Sequence, residues 1–209
     1  MLTVHHLNNS RSQRILWLLE ELGLDYELKT YQRNLETNLA PPELEAVHPL
    51  GKSPVLTDGD NTIIESGAII DYLLRVHGDG RFYPEPGTTA HEQYLQWLHY
   101  VEGSAMLPLM LRMYTARLPD GGEALQPRIN DELNRHLGYV DGALEGVDWL
   151  VDGDFSGADV QLSFVAEIAP LLHSLEPFPN LAAFRNRCHA RPAYQRALEK
   201  GGEYAFGPG

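Results

Sequence analysis

The chain has 209 residues, enough to bury a core as one large domain or two small ones. With 43% hydrophobic and 22% charged residues it reads as globular, and a formal net charge of −13, from 29 acidic against 16 basic side chains, argues against a phosphate-backbone partner. One cysteine, Cys188, excludes an intrachain disulfide. The opening LTVHHL has neither a basic segment nor a long apolar run, so no signal peptide of the usual kind is expected. The most apolar stretches, 106–111 and 160–172, are broken by Pro108, Glu167 and Pro170 and fall short of a membrane span, so a cytoplasmic protein without a membrane partner is expected.

Residues 2–7 suit a strand, Asn8-Asn9-Ser10-Arg11-Ser12 a polar turn, and Ile15, Leu16, Leu18, Leu19 and Leu22 an amphipathic helix ending at Gly23. Residues 26–31 read as a second strand, which makes the start a β-α-β unit with parallel strands and a right-handed crossover. A short helix is expected within 36–47, beginning no earlier than Pro41-Pro42. Residues 55–57 and 62–64 form a hairpin around Asp58-Gly59, and a helix follows from Glu65-Ser66-Gly67, with Ala68, Ile69, Tyr72, Leu73 and Val76 on its apolar face. A strand ending in Glu-Ser on a helix N-terminus can cradle a carboxylate, because free N–H groups and the helix dipole both favour negative charge there.

The Gly/Pro-rich run GDGRFYPEPGTT marks a boundary, giving domains of 1–77 and 89–209 with a linker at 78–88. Beyond it no run has strand character. A long helix is predicted over 91–118, bent at Pro108, and another from about 123 with Ile129, Leu133, Leu137, Val140 and Leu144 on one face. Ser156-x-x-Asp159 is a capping-box pattern before the apolar run 160–172. Short helices follow over 181–189 and 193–199, and then a Gly-rich tail that is loose or lies over the surface. His5 and His6 point to opposite faces of the first strand, no metal-ligand spacing appears, and Cys188 reads as a buried structural thiol.

This order, together with Pro49-x-Gly51-Lys52-Ser53-Pro54, Glu65-Ser66, Ser156-Gly157-Ala158-Asp159 and the turn Asn9-Ser10-Arg11-Ser12-Gln13-Arg14, resembles the soluble glutathione transferase family, in its serine-using bacterial and fungal branches. The resemblance implies a thioredoxin-like βαβ-α-ββα domain followed by an all-helical domain. It also implies a homodimeric enzyme of detoxification type that uses glutathione as co-substrate, needs no metal, and promotes thiolate attack on a small electrophile. Isomerase, peroxidase or disulfide reductase chemistry, or a non-catalytic glutathione-binding module, are the alternatives on the same fold.

By the resemblance, Ser53, before a cis Pro54, pairs its backbone with glutathione, and Ser66 and Glu65 hold the γ-glutamyl end. Lys52 faces the glycyl carboxylate, and His48 stands where the family commonly has Asn. Ser10 is the first choice to stabilise the thiolate, with Asn9 and then Ser12 as the other donors in the turn. Tyr100, Ser104, Met106, Met110 and Tyr114 are the candidate electrophile wall, and Glu102 the candidate to reach across a dimer.

Overall fold

A computed structural model describes residues 1–208, which form two compact units. The first is Met1–Tyr83 together with the chain from His189 onward, and the second is Pro84–Cys188.

In the first unit, β1 (Leu2–Leu7), α1 (Ser12–Leu22), β2 (Tyr26–Tyr31), α2 (Pro42–Val47), β3 (Val55–Asp58), β4 (Asn61–Ile64) and α3 (Ser66–His77) follow the predicted order. The sheet runs β2-β1-β3-β4, with β1 parallel to β2 and antiparallel to β3, and β3 antiparallel to β4. β1 has a neighbour on each side and is buried along its whole length, whereas the edge strand β2 is only partly buried. A parallel pair needs a crossover, here α1, and the polar turn therefore lies at the carboxyl end of the central strand, where α/β sheets place ligands.

α1 ends at Gly23, whose φ of 62° is left-handed and whose N–H bonds the Leu19 carbonyl. On α3 the buried face is Ser66, Ile69, Ile70, Leu73 and Leu74, and Val76 is exposed. The expected face is thus rotated, because the Tyr72 hydroxyl and His77 Nε2 each reach the Asp58 carboxylate at 2.9 Å.

The second unit contains α4 (Thr89–Tyr100), a π-helical turn (Val101–Ala105), α5 (Met106–Thr115), a 3-10 turn (Glu123–Leu125), α6 (Gln126–Ala143), α7 (Gly157–Leu172) and most of α8 (Pro179–Ala190). The long helix expected over 91–118 is divided. Pro108 cannot donate to the carbonyl four residues back, and the chain widens over the preceding turn. α6 buries Ile129, Leu133, Leu137 and Val140 as its spacing predicts. The capping box closes: Ser156 Oγ accepts from Ala158 N, and Asp159 accepts from Ser156 N, Ser156 Oγ and Leu150 N.

The last helix, α9 (Pro192–Gly201), groups with the first unit. It lies on α1, where Arg191 pairs with Glu21 at 2.5 and 2.9 Å, and Arg196 and Lys200 pair with Glu20 at 3.1 and 2.5 Å. Burial works to raise the Glu20 carboxyl, but hydrogen bonds from Lys200, Tyr26 and Arg196 hold it below its ordinary value.

Candidate functional site

The site grows from the end of β1. Asn9 takes a left-handed backbone, φ 51°, which asparagine tolerates better than most residues, and so turns the chain from strand to helix. Ser10 Oγ accepts from Ser12 N at 3.2 Å and shares a proton with Ser12 Oγ at 2.8 Å. Ser12 Oγ also lies 2.8 Å from His6 Nδ1 and 3.3 Å from the Leu7 carbonyl. Burial pushes the His6 imidazole down to about 4, opposed by its hydrogen bond to the Gly201 carbonyl.

Gly201 sits so close that a Cβ there would meet Gln13 Oε1 at 2.8 Å and Leu16 at 3.0 Å. Asn9 Oδ1 accepts from the Ala205 main chain at 2.7 Å, so the tail lies against the turn. Arg33 donates to the carbonyls of Asn8 and Asn9 at 3.1 and 3.2 Å. Its pKa is lowered first by burial and then by Arg11, so two guanidiniums sit beside this turn in a strongly acidic chain. An anion is favoured there.

Ser53 comes to the same end of β1. Its peptide bond to Pro54 is cis, and its hydroxyl donates to the His5 carbonyl at 2.9 Å and accepts from Leu7 N at 3.2 Å. Pro54 has no N–H, so the Ser53 side chain continues the β1–β3 connection beyond the last paired residues, His5 and Val55. Gly51 is left-handed, φ 55°, and a Cβ there would meet Glu45 at 2.8 Å. Lys52 is exposed, and His48 Nδ1 lies 3.4 Å from Leu50 N.

Glu65 precedes α3 with φ 68° and ψ 119°, a strained conformation for a residue with a side chain, held where the helix N-terminus opens. Ser66 is buried, and the buried Arg14 of α1 approaches its hydroxyl at 3.5 Å. The first unit therefore brings Asn9, Ser10, Ser12, Ser53, Pro54 and Ser66 into one connected set of elements, with Glu65 and Lys52 at its exposed margin.

The second unit carries an open groove of about 850 Å³ lined chiefly by α4, including Trp97, Tyr100, Ser104 and Tyr139. Trp97 stacks on Tyr139 with ring centroids 5.4 Å apart, and Tyr100 meets both rings edge-on. Tyr100 Oη lies 2.8 Å from His136 Nδ1, and His136 Nε2 faces Glu132 at 3.2 Å. Burial, then Tyr139, raises the Tyr100 phenol above its ordinary value. Met106 is buried in the helical core, Met110 is half-buried and Tyr114 is exposed on α5, and Glu102 is half-buried in the π-helical turn.

Residues 1–75 match the family model for the glutathione S-transferase N-terminal domain, and residues 101–192 that for the C-terminal domain. This chain belongs to the glutathione S-transferase family. Its activity is that of a glutathione transferase, with glutathione as co-substrate. It is 32% identical over 216 residues to glutathione S-transferase 3 of Schizosaccharomyces pombe, covering 96% of this chain and 88% of that one. It is 30% identical over 223 residues to glutathione S-transferase 1 of Saccharomyces cerevisiae, covering 96% and 95%. A crystal structure of a glutathione S-transferase from Actinobacillus pleuropneumoniae superposes with a TM-score of 0.89 at 37% identity, covering 99% of this chain and 95% of that one. The thioredoxin-like first domain and helical second domain of the glutathione transferases are those described above. No helix among the described residues is long and apolar enough to cross a membrane, and none of their side chains form a group of three or more placed to hold a metal ion.

Three participants in the architecture around this turn escape sequence reasoning. His6 looks like any buried strand residue, Arg33 follows β2 in a polar loop, and Ala205 acts through its main chain. The His5-His6 alternation was the one available signal, since it sends His6 to the α1 side and His5 to Tyr31.

Proposed function

We propose that the turn at the carboxyl end of β1 holds the sulfur of glutathione as a thiolate for attack on a small electrophile. The observation that carries this reading is the bonded convergence of three segments of the first unit. Ser12 reaches Leu7, Ser53 reaches His5 and Leu7, and Arg14 reaches Ser66. In this reading the Ser53 main chain, fixed beside Pro54, aligns the tripeptide backbone as an added strand edge. Ser66 and the start of α3 take the γ-glutamyl carboxylate, Glu65 its ammonium and Lys52 the glycyl carboxylate.

A thiol with a pKa near 8.5 is only slightly ionised at neutral pH, and lowering that value by about two units takes roughly 2.7 kcal/mol of preference for the anion. A donor from the Asn9–Ser10 turn, the α1 N-terminus and the Arg11 and Arg33 charges act in that direction. The thiol proton leaves to water, sulfur bonds to the electrophilic carbon, and the displaced group departs with its electron pair or the addition is completed by a proton. We assign the electrophile to Tyr100, Ser104, Met106, Met110 and Tyr114 of the second unit. A cytoplasmic homodimer in which Glu102 reaches the partner's γ-glutamyl ammonium completes the reading.

Retention on immobilised glutathione, followed by turnover of a panel of electrophiles and peroxides, tests it. Retention with conjugation of electrophiles is expected. Peroxide turnover alone would move the assignment to the peroxidase chemistry, retention without turnover to a binding module, and no retention would remove the reading.

A further inference from the structure

The two leading donors of the turn are held in opposite senses, and each direction follows from what the partner is able to give. Asn9 Oδ1 lies 2.7 Å from Ala205 N. A main-chain N–H only donates, so the atom facing Ala205 is the oxygen, and the amide nitrogen with its two N–H groups is turned to the other side. Asn9 is half-buried.

The Ser10 hydroxyl has a different commitment. The Gly201 carbonyl only accepts, so the His6 ring nitrogen that bonds it carries the proton. His6 is pushed down to about 4 by burial and is neutral near pH 7, which leaves Nδ1 as an acceptor. Ser12, 2.8 Å away, donates its single proton to Nδ1, and its oxygen must then accept from Ser10, also at 2.8 Å. Ser10 Oγ is further occupied by Ser12 N–H at 3.2 Å, and the residue is 6% exposed.

We infer that the Asn9 amide nitrogen is the side-chain donor to the glutathione thiolate, aimed by the Ala205 main-chain N–H of the C-terminal tail, while Ser10, Ser12 and His6 brace the turn from the core side. This rests on the thiolate reading above and makes the tail a positioning element of the catalytic turn. Arg33, which holds the Asn9 carbonyl, and Arg11 beside it contribute positive potential whichever side chain donates.

The test is titration of the bound thiol by the ultraviolet absorbance of the thiolate, at saturating glutathione. Asn9→Gly keeps the left-handed backbone and removes the amide, and is expected to raise the midpoint by about one to two pH units, the worth of a hydrogen bond to an anion. Asn9→Asp keeps the acceptor for Ala205 and replaces the donor with a negative oxygen, so its rise should be the larger. Ala205→Pro removes the N–H, is expected to raise the midpoint by about half as much as Asn9→Gly, and is compared with Ala205→Gly, which keeps the N–H and the wild-type midpoint. Ser10→Ala should move the midpoint by no more than a few tenths of a unit. A large rise in Ser10→Ala with none in Asn9→Gly or Asn9→Asp would overturn the inference and leave the thiolate reading standing. A wild-type midpoint equal to that of free glutathione would remove the thiolate reading itself.

Discussion

Each unit buries a polar knot around a helix start, and the two differ in how they end. In the second, Asp159 accepts from Leu150 N, Ser156 N and the Ser156 hydroxyl, and Ser156 Oγ accepts from Ala158 N. Every polar group in it is answered within the knot. In the first, the chain from the Gly201 carbonyl through His6 and Ser12 ends at Ser10, beside an Asn9 amide whose oxygen alone is engaged by the tail. A closed knot holds a fold together, and an open-ended one leaves a donor for a ligand.

The sharpest way to break this comparison is Asp159→Ala. It leaves three buried donors without an acceptor and should cost about 3–5 kcal/mol, read from the urea midpoint, with the bound-thiol titration unchanged. A shifted thiol midpoint would show that the closed knot is not confined to stability.

The next effect is a pH dependence. His6 has a folded pKa below its ordinary 6.5, at about 4, so the unfolded chain binds the extra proton first. The stability that neutral His6 contributes is fully present above about pH 6.5 and is lost as pH falls toward 4, up to about 3 kcal/mol. His6→Gln should flatten that limb of the stability–pH curve, and an unaltered limb would contradict the buried neutral imidazole.

Glu20→Gln should cost about 1–3 kcal/mol in a urea titration, discounted because Arg196 and Lys200 are half exposed. By loosening α9 it should also raise the thiol midpoint slightly, which Asp159→Ala does not. The smallest effect concerns the groove. Tyr139→Ala removes a stacked ring from Trp97 and should raise KM for an aromatic electrophile a few-fold, about 1 kcal/mol, with KM for glutathione unchanged.

Much of this was legible in the residues themselves. The period-two and period-3.6 patterns, Gly23 and the Ser156–Asp159 box each act through neighbours in sequence, so the element order could be read directly, whereas the expected division at 78–88 leaves α9 in the helical domain and the structure groups it with the first unit. The π-helical turn at Val101–Ala105 is a compromise between Pro108 and a helix that is apolar on both sides of it, and periodicity does not display it. α9 reads only as a short helix over 193–199, because nothing local says that Arg191, Arg196 and Lys200 meet Glu20 and Glu21, which lie 170, 176 and 180 residues earlier. At the site, Ser53-Pro54 and Glu65-Ser66 were visible as motifs. The choice among Asn9, Ser10 and Ser12 was not, since all three are good caps and only the partners at His6, Gly201 and Ala205 separate them.

The central claim is that the turn at the carboxyl end of β1 lowers the pKa of bound glutathione. The direct measurement is the ultraviolet titration of the thiolate in the wild-type complex at saturating glutathione. The account predicts a midpoint about two units below the ordinary thiol value near 8.5. A midpoint near 8.5 with glutathione bound would contradict it.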